Sequence, residues 1–168
     1  MFPCQGKCRR FESDYPLHPN IMQLDQQHLY EPCVRPDFAR SLANLRLAQR
    51  MIQTMLRENG IGLAANQVGE NIRLFVMYVD GEFFHCFDPE IVQHSEETVI
   101  SREGCLSFPG EFCMVARHAR ITVRFANSSG HYQTRELSGL AARCFQHELD
   151  HLNGVTMYQR QADLSSIS

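Results

Sequence analysis

The chain has 168 residues, of which 43% are hydrophobic and 21% charged, and its formal net charge is −3. That length suits one domain with its own core. The mild acidity argues against a general nucleic-acid binder, and no apolar run approaches the ~20 residues that span a bilayer.

Residues 1–36 are rich in proline, glutamine and other polar residues without a sustained period, and read as an extended, partly disordered lead-in. Met1 to Arg10 lack the apolar middle of a secretory signal. A cytoplasmic location is therefore expected, with an organelle the alternative if residues 1–20 act as a transit peptide. Cys4 and Cys8 are spaced like half a zinc site, but no second pair answers them nearby. The seven cysteines are scattered and odd in number, which fits a reducing compartment better than a disulfide framework.

A single domain is expected over residues 37–160, followed by a short polar tail over 161–168. Phe38, Leu42, Leu45, Ala48, Ile52, Met55 and Leu56 recur at three and four, which predicts a long helix. Pro36-Asp37 suits its start and Asn59-Gly60 its end. Gly60-Ile61-Gly62-Leu63-Ala64-Ala65-Asn66-Gln67 follows as a loop whose glycines permit close backbone approach. It is no dinucleotide-binding turn, because that motif follows a strand and opens a helix.

Strand signals then dominate. Arg73 to Val79 turns at Asp80-Gly81 into Glu82 to Phe87, and Asp88-Pro89 is expected to break that run. Ile91-Val92, Thr98 to Ser101, Met114 to Ala116, Ile121 to Phe125 and His131 to Leu137 complete an antiparallel set. Between strands, Glu103-Gly104-Cys105-Leu106-Ser107-Phe108-Pro109-Gly110 reads as a loop carrying an approachable cysteine.

Leu137, Leu140, Ala141, Cys144 and Phe145 lead at helical spacing into His147-Glu148-Leu149-Asp150-His151, and Asn153-Gly154 stops that helix. Histidines four apart lie one turn apart on one helix face, so both can reach one divalent metal, with Glu148 beside it to move a proton. A third ligand is needed. Met157 stands where one metalloprotease class has a third histidine, and no glutamate follows His151. The ligand must then come from upstream. Cys105 is the best candidate because thiolate suits borderline divalent metals, while Cys86, Cys113 and Cys144 remain open.

Three segments together carry a family resemblance. Gly60 to Gln67 resembles the motif G-x-G-L-A-A-x-Q, Glu103 to Ser107 matches E-G-C-L-S, and His147 to His151 matches H-E-x-D-H, in the order found in peptide deformylases. The similarity covers roughly residues 37–158. It implies an α+β fold of mostly antiparallel sheets packed around a central metal-binding helix, with a long N-terminal helix. It also implies a metal-dependent hydrolase that removes the formyl group from N-terminal formylmethionine and releases formate.

Carried over by position, the resemblance makes Cys105, His147 and His151 the metal ligands and Glu148 the general acid/base. Gln67 and the backbone N–H of Leu106 become the oxyanion donors. Ile61 and Gly62 would hold the peptide, and Ile61, Leu140 and Cys144 would line the methionine pocket. Glu103 would support a ligand from behind, and a pairing with Arg143 is our own expectation. The family commonly uses Fe(II), with zinc, nickel or cobalt able to substitute. Nascent formylmethionyl peptides near the ribosome exit are the implied partners, and a monomer is expected. The chain departs from the family at Ser101 and Phe112, where some members carry an apolar residue and an arginine near the substrate channel. A small H-E-x-x-H metallopeptidase with Asp163 as ligand and a deformylase-like binding protein without turnover are the alternatives.

Overall fold

The computed structural model describes Asn20 and residues 27–162. Cys4, Cys8, Asp163 and most of the polar tail lie outside the described residues. Among the described residues, seven strands and two α-helices follow one another as α1 (Ser41–Arg57), β1 (Gly62–Ala64), β2 (Leu74–Val79), β3 (Glu82–His94), β4 (Thr98–Cys105), β5 (Phe108–His118), β6 (Arg120–Ala126), β7 (Tyr132–Ser138) and α2 (Gly139–Leu152). The strands form two antiparallel sheets, a five-stranded one in the order β1-β2-β3-β6-β7 and the hairpin β4-β5.

Alternation along β2 explains how the larger sheet is covered. Phe75, Met77 and Val79 join Phe125 on β6 and Phe145 and Leu152 of α2 in one apolar cluster. Leu74 and Val76 join Met51 and Met55 of α1 in a second. Successive side chains point to opposite faces of a strand, so the two helices cover opposite faces of the sheet. A third cluster joins Leu29 of the lead-in to Phe108, Cys113 and Val115 of β5 and to Met157 beyond α2.

The ends of α1 follow the expected signals. The Asp37 carboxylate accepts from the Ala39 N–H at 3.0 Å and caps a single 3₁₀ turn that runs into the helix. At the other end Asn59 takes φ 57° and the Gly60 N–H donates to the Met55 carbonyl at 2.8 Å. The buried stripe, however, runs through Asn44, Leu47, Ala48, Met51 and Met55, while Leu42 and Leu56 are exposed. The stripe is set by what the sheet offers, and Met51 fills it where periodicity alone favoured its neighbour Ile52.

Four expectations about the elements are corrected. β3 does not stop at Asp88-Pro89: it runs on to His94, with the pairing to β6 shifting register between Phe87 and Glu90. Asp88 takes φ 45° there, so the proline, which has no N–H to give, sits within the irregularity instead of in a regular ladder. The Gly60–Gln67 loop contains the short edge strand β1 and a 3₁₀ turn over Ala65–Val68. Cys105 ends strand β4 and is not a loop residue. Leu137 belongs to β7, so α2 starts only at Gly139.

Candidate active site

Three elements meet at the site. α2 carries His147, Glu148 and His151, β4 delivers Cys105 at its end, and the turn after β1 brings Gln67. One ligand atom from each of Cys105, His147 and His151 lies within 4.8 Å of the others, and Cys105 Sγ is 3.2 Å from His151 Nε2. Cys86, Cys113 and Cys144 are outside this group. Burial pushes the Cys86 and Cys144 thiols well up, as suits packing groups.

His147 and Gln67 are oriented by hydrogen-bond partners. Glu103 accepts from His147 Nδ1 at 2.9 Å, which leaves the other ring nitrogen free to face Cys105. A carboxylate behind a ring nitrogen is the common way a ligating histidine is fixed. Burial alone would lower the His147 imidazole, but hydrogen bonding to Cys105 and Glu103 and the nearby Glu148 charge push it up to about 10. His151 goes the other way: burial, then the His147 and Arg117 charges, hold it well below the usual range. Its carbonyl accepts from Asn66 Nδ2 at 2.7 Å, which ties α2 to the turn carrying Gln67. Gln67 is held by its oxygen, which accepts from the Ala64 N–H at 2.8 Å. Its amide nitrogen therefore points to Cys105 Sγ at 3.4 Å and Ser107 Oγ at 3.2 Å.

Glu148 is 4% exposed, and its Oε2 has no hydrogen-bond partner. Burial raises its carboxyl to about 7 against the opposing pull of His147. A carboxyl poised there can hold or release a proton at neutral pH. A cavity of about 680 Å³ opens beside it, lined by Ile61, Gly62, Gln67, Cys105, His147 and Glu148 among others.

The sequence of this chain matches the polypeptide deformylase family model over residues 19–166. This chain belongs to that family. A peptide deformylase of Thermotoga maritima is 49% identical over 112 residues, 67% of this chain and 68% of that one. The crystal structure of a Thermotoga maritima peptide deformylase superimposes with a TM-score of 0.82 at 40% identity, over 87% of this chain and 99% of the other. A class I type b peptide deformylase from Acinetobacter baumannii with Met-Ala-Ser bound also gives 0.82, at 28% identity, over 85% of this chain and 98% of that one. The chain is accordingly an enzyme of the deformylase kind, with an α+β fold.

Two expectations about this deformylase are corrected. Glu103 pairs with Arg117, not with Arg143: Arg117 Nε reaches Oε1 at 3.1 Å and Nη2 reaches Oε2 at 3.0 Å. Arg143 faces the cavity instead. Leu140 is 42% exposed and lies outside the cavity lining, whereas Ile61, Gly62, Cys144 and Leu106 are in it.

Sequence reasoning missed Arg117, Asp150, Ser107 and Asn66. Arg117 also binds Asp150, which Arg160 holds in turn through Nη2 to Oδ1 at 2.8 Å. The metal helix is thus tied to both strands of the hairpin through one buried guanidinium. The aspartate inside H-E-L-D-H was the available signal for this network. Nothing local marked Arg117, which is far from Asp150 along the chain.

Proposed function

We infer that this chain hydrolyses the N-formyl group of nascent polypeptides, with Cys105, His147 and His151 holding one divalent metal ion and Glu148 moving the proton. The convergence of those three ligand atoms within 4.8 Å, beside a buried and unpartnered Glu148 oxygen, carries the assignment. One soft thiolate and two imidazoles, that of His147 backed by Glu103, suit a borderline divalent ion. Fe(II) is the resident ion we propose, with zinc, nickel or cobalt able to replace it. A bound ion supplies Lewis-acid polarisation of the formyl carbonyl and makes water acidic enough to react near neutral pH.

The chain's own residues do the rest. Glu148 takes the proton of the attacking water and delivers it to the departing amine nitrogen. The amide nitrogen of Gln67 and the backbone N–H of Leu106 meet the oxygen that becomes negative, a contact typically worth about 10²–10³ in rate. Ile61 and Gly62, at the edge of the larger sheet, offer backbone groups to an extended peptide, as edge strands do. Cys144 and Ile61 line the space for the methionine side chain. The formyl carbon bears only hydrogen, so a narrow cavity admits it and excludes acetylated and internal peptide bonds.

All three proposed ligands come from one chain, which supports a monomeric enzyme. No helix among the described residues is long and apolar enough to cross a membrane. The net charge of −3 gives no footprint for nucleic acid. We place the enzyme in the cytoplasm, near the ribosome exit where its substrates emerge.

The test is formate release from formyl-Met-Ala-Ser by protein prepared anaerobically with Fe(II), with metal content measured alongside. Glu148→Ala should keep its metal and lose turnover by about 10²–10⁴. Near-normal turnover in that variant removes the proton-transfer assignment. Cys105→Ser should lose metal where Cys113→Ser keeps it, and equal metal content in the two refutes the ligand set. Casein cleavage without formate would favour an H-E-x-x-H peptidase.

A further inference from the structure

The active-site cavity is lined by two arginines that the reaction does not use. Arg143 precedes His147 by one turn on the same row of α2, so its Cα and that of His147 are neighbours along one face. Its side chain is half-buried and lines the cavity, yet no hydrogen bond or ion pair reaches its guanidinium among the described residues. Arg102 lines the same cavity from β4, its guanidinium carbon 3.8 Å from the centre of the Phe112 ring. That ring lies over Gly104, where an added Cβ would sit 3.0 Å from Phe112 Cε1. Arg102 is thus held in place by an aromatic face and has no carboxylate partner among the described residues.

Two of the acidic groups around the cavity are paired with arginines outside its lining, while Glu111 keeps its charge. Glu103 is neutralised by Arg117, Glu58 pairs with Arg57 at 2.8 Å, and Glu111 accepts from the Tyr158 hydroxyl at 2.6 Å. Glu148 is the proton carrier. Two guanidiniums are left facing the space that the peptide must occupy. A guanidinium with free N–H donors is a fork matched to a carboxylate. An extended peptide advances about 3.3 Å per residue, and one helical turn separates Arg143 from the His147 ligand, so the reach corresponds to the first two residues after methionine.

We propose that Arg143 and Arg102 make this enzyme selective for formylmethionyl peptides with an acidic group within two residues of the methionine. This rests on the deformylase reading above and narrows its substrate class. The carboxylate can belong to an aspartate or glutamate side chain, or to the free C-terminus of a very short peptide.

Calorimetric titration of the metal-loaded protein with deformylated peptides tests this independently of turnover. Met-Asp-Ser-amide and Met-Ser-Asp-amide should bind about tenfold more tightly than Met-Lys-Ser-amide, a gap that shrinks as salt is raised. Comparing Met-Ala-Ser-amide with the free acid Met-Ala-Ser separates a terminal carboxylate from a side-chain one. Arg143→Gln with Arg102→Gln should bring the ratio to within about twofold, and Arg143→Lys should retain part of it. Equal affinity for the Asp and Lys peptides in the unaltered protein overturns the proposal, as does a preference that persists in the double variant. Should the double variant fail to fold, the salt dependence and the Asp/Lys ratio of the unaltered protein decide alone. Formate release from formyl-Met-Ala-Ser, measured in parallel, separates the two claims. Formate without an acid preference sinks only the selectivity, and an acid preference without formate sinks only the deformylase reading.

Discussion

At Gly62 the site leaves no room for a side chain. A Cβ there would lie 2.2 Å from Glu148 Oε1 and 2.8 Å from Cys144 Sγ. Glu148 is buried and cannot swing into solvent, so Gly62→Ala has to displace the carboxylate that moves the proton. Misplacement by about 1 Å costs about 10² in rate. Formate assays should show that loss with metal content unchanged. Glu148 itself predicts a pH dependence in the metal-free protein. Burial raises its carboxyl from 4.5 to about 7, so the folded state binds its proton more tightly than the unfolded chain does. The stability that this confers is complete below pH 4.5 and disappears as pH rises through about 7. Against a Glu148→Gln variant, the metal-free wild type should therefore lose ground between pH 5 and 8, by about 3 kcal/mol. Parallel urea titrations at the two pH values read the difference, and a gap that does not change with pH contradicts the burial assignment. The three motif residues Gln67, Cys105 and Glu148 were legible because their type and spacing specify chemistry. The partner of Glu103 was not: Arg117 and Arg143 are both distant arginines in the sequence, and only the fold decides which one is buried beside it.

Among the elements, α2 is the one most tightly constrained by charge. Arg117 on β5 is 6% exposed and sits between Glu103 on β4 and Asp150 on α2. Burial would lower the guanidinium, but the hydrogen bonds and charges of Glu103 and Asp150 hold it above its usual value. Removing one member of such a group leaves the others buried without compensation. Arg117→Met should cost about 3–5 kcal/mol, read as a shift in urea midpoint, and it should also loosen metal binding because Glu103 no longer holds His147 from a fixed position. A variant with wild-type stability would show that the network is not a structural tie. The helix ends were readable from Asn59-Gly60 and Asn153-Gly154, whose backbones do adopt the reversal that such residues permit: Asn59 at φ 57° and Gly154 at φ 73°. The continuation of β3 through Asp88-Pro89 was not readable. Proline excludes a regular ladder position, but the sequence carries no sign that the ladder shifts there.

For the molecule as a whole, the later part of the lead-in is structural. Leu29 is fully buried against Phe108, Val115 and Met157, in the cluster that also backs Cys105. Leu29→Ala should destabilise by about 2–5 kcal/mol, measured by denaturant unfolding; a change below about 1 kcal/mol would mean that the lead-in only rests on the surface. Composition marked residues 1–36 as irregular; among the described ones up to Arg35 a 3₁₀ turn spans Gln27–Tyr30. Irregular backbone can still supply a core residue, and a single buried leucine has no period to announce it.

The lead-in also closes against the end of the last helix. The Cys33 N–H donates to the Leu152 carbonyl at 2.8 Å, Asn66 Nδ2 reaches both the His28 and His151 carbonyls, and a Cβ on Gly154 would strike the Tyr30 carbonyl oxygen at 2.6 Å. These contacts join residues far apart in sequence, the kind of long-range closure that slows folding. During synthesis residues 28–33 cannot complete these contacts until Leu152 and Gly154 have left the ribosome. An enzyme that trims newborn chains thus closes its own fold only after the end of α2 has emerged.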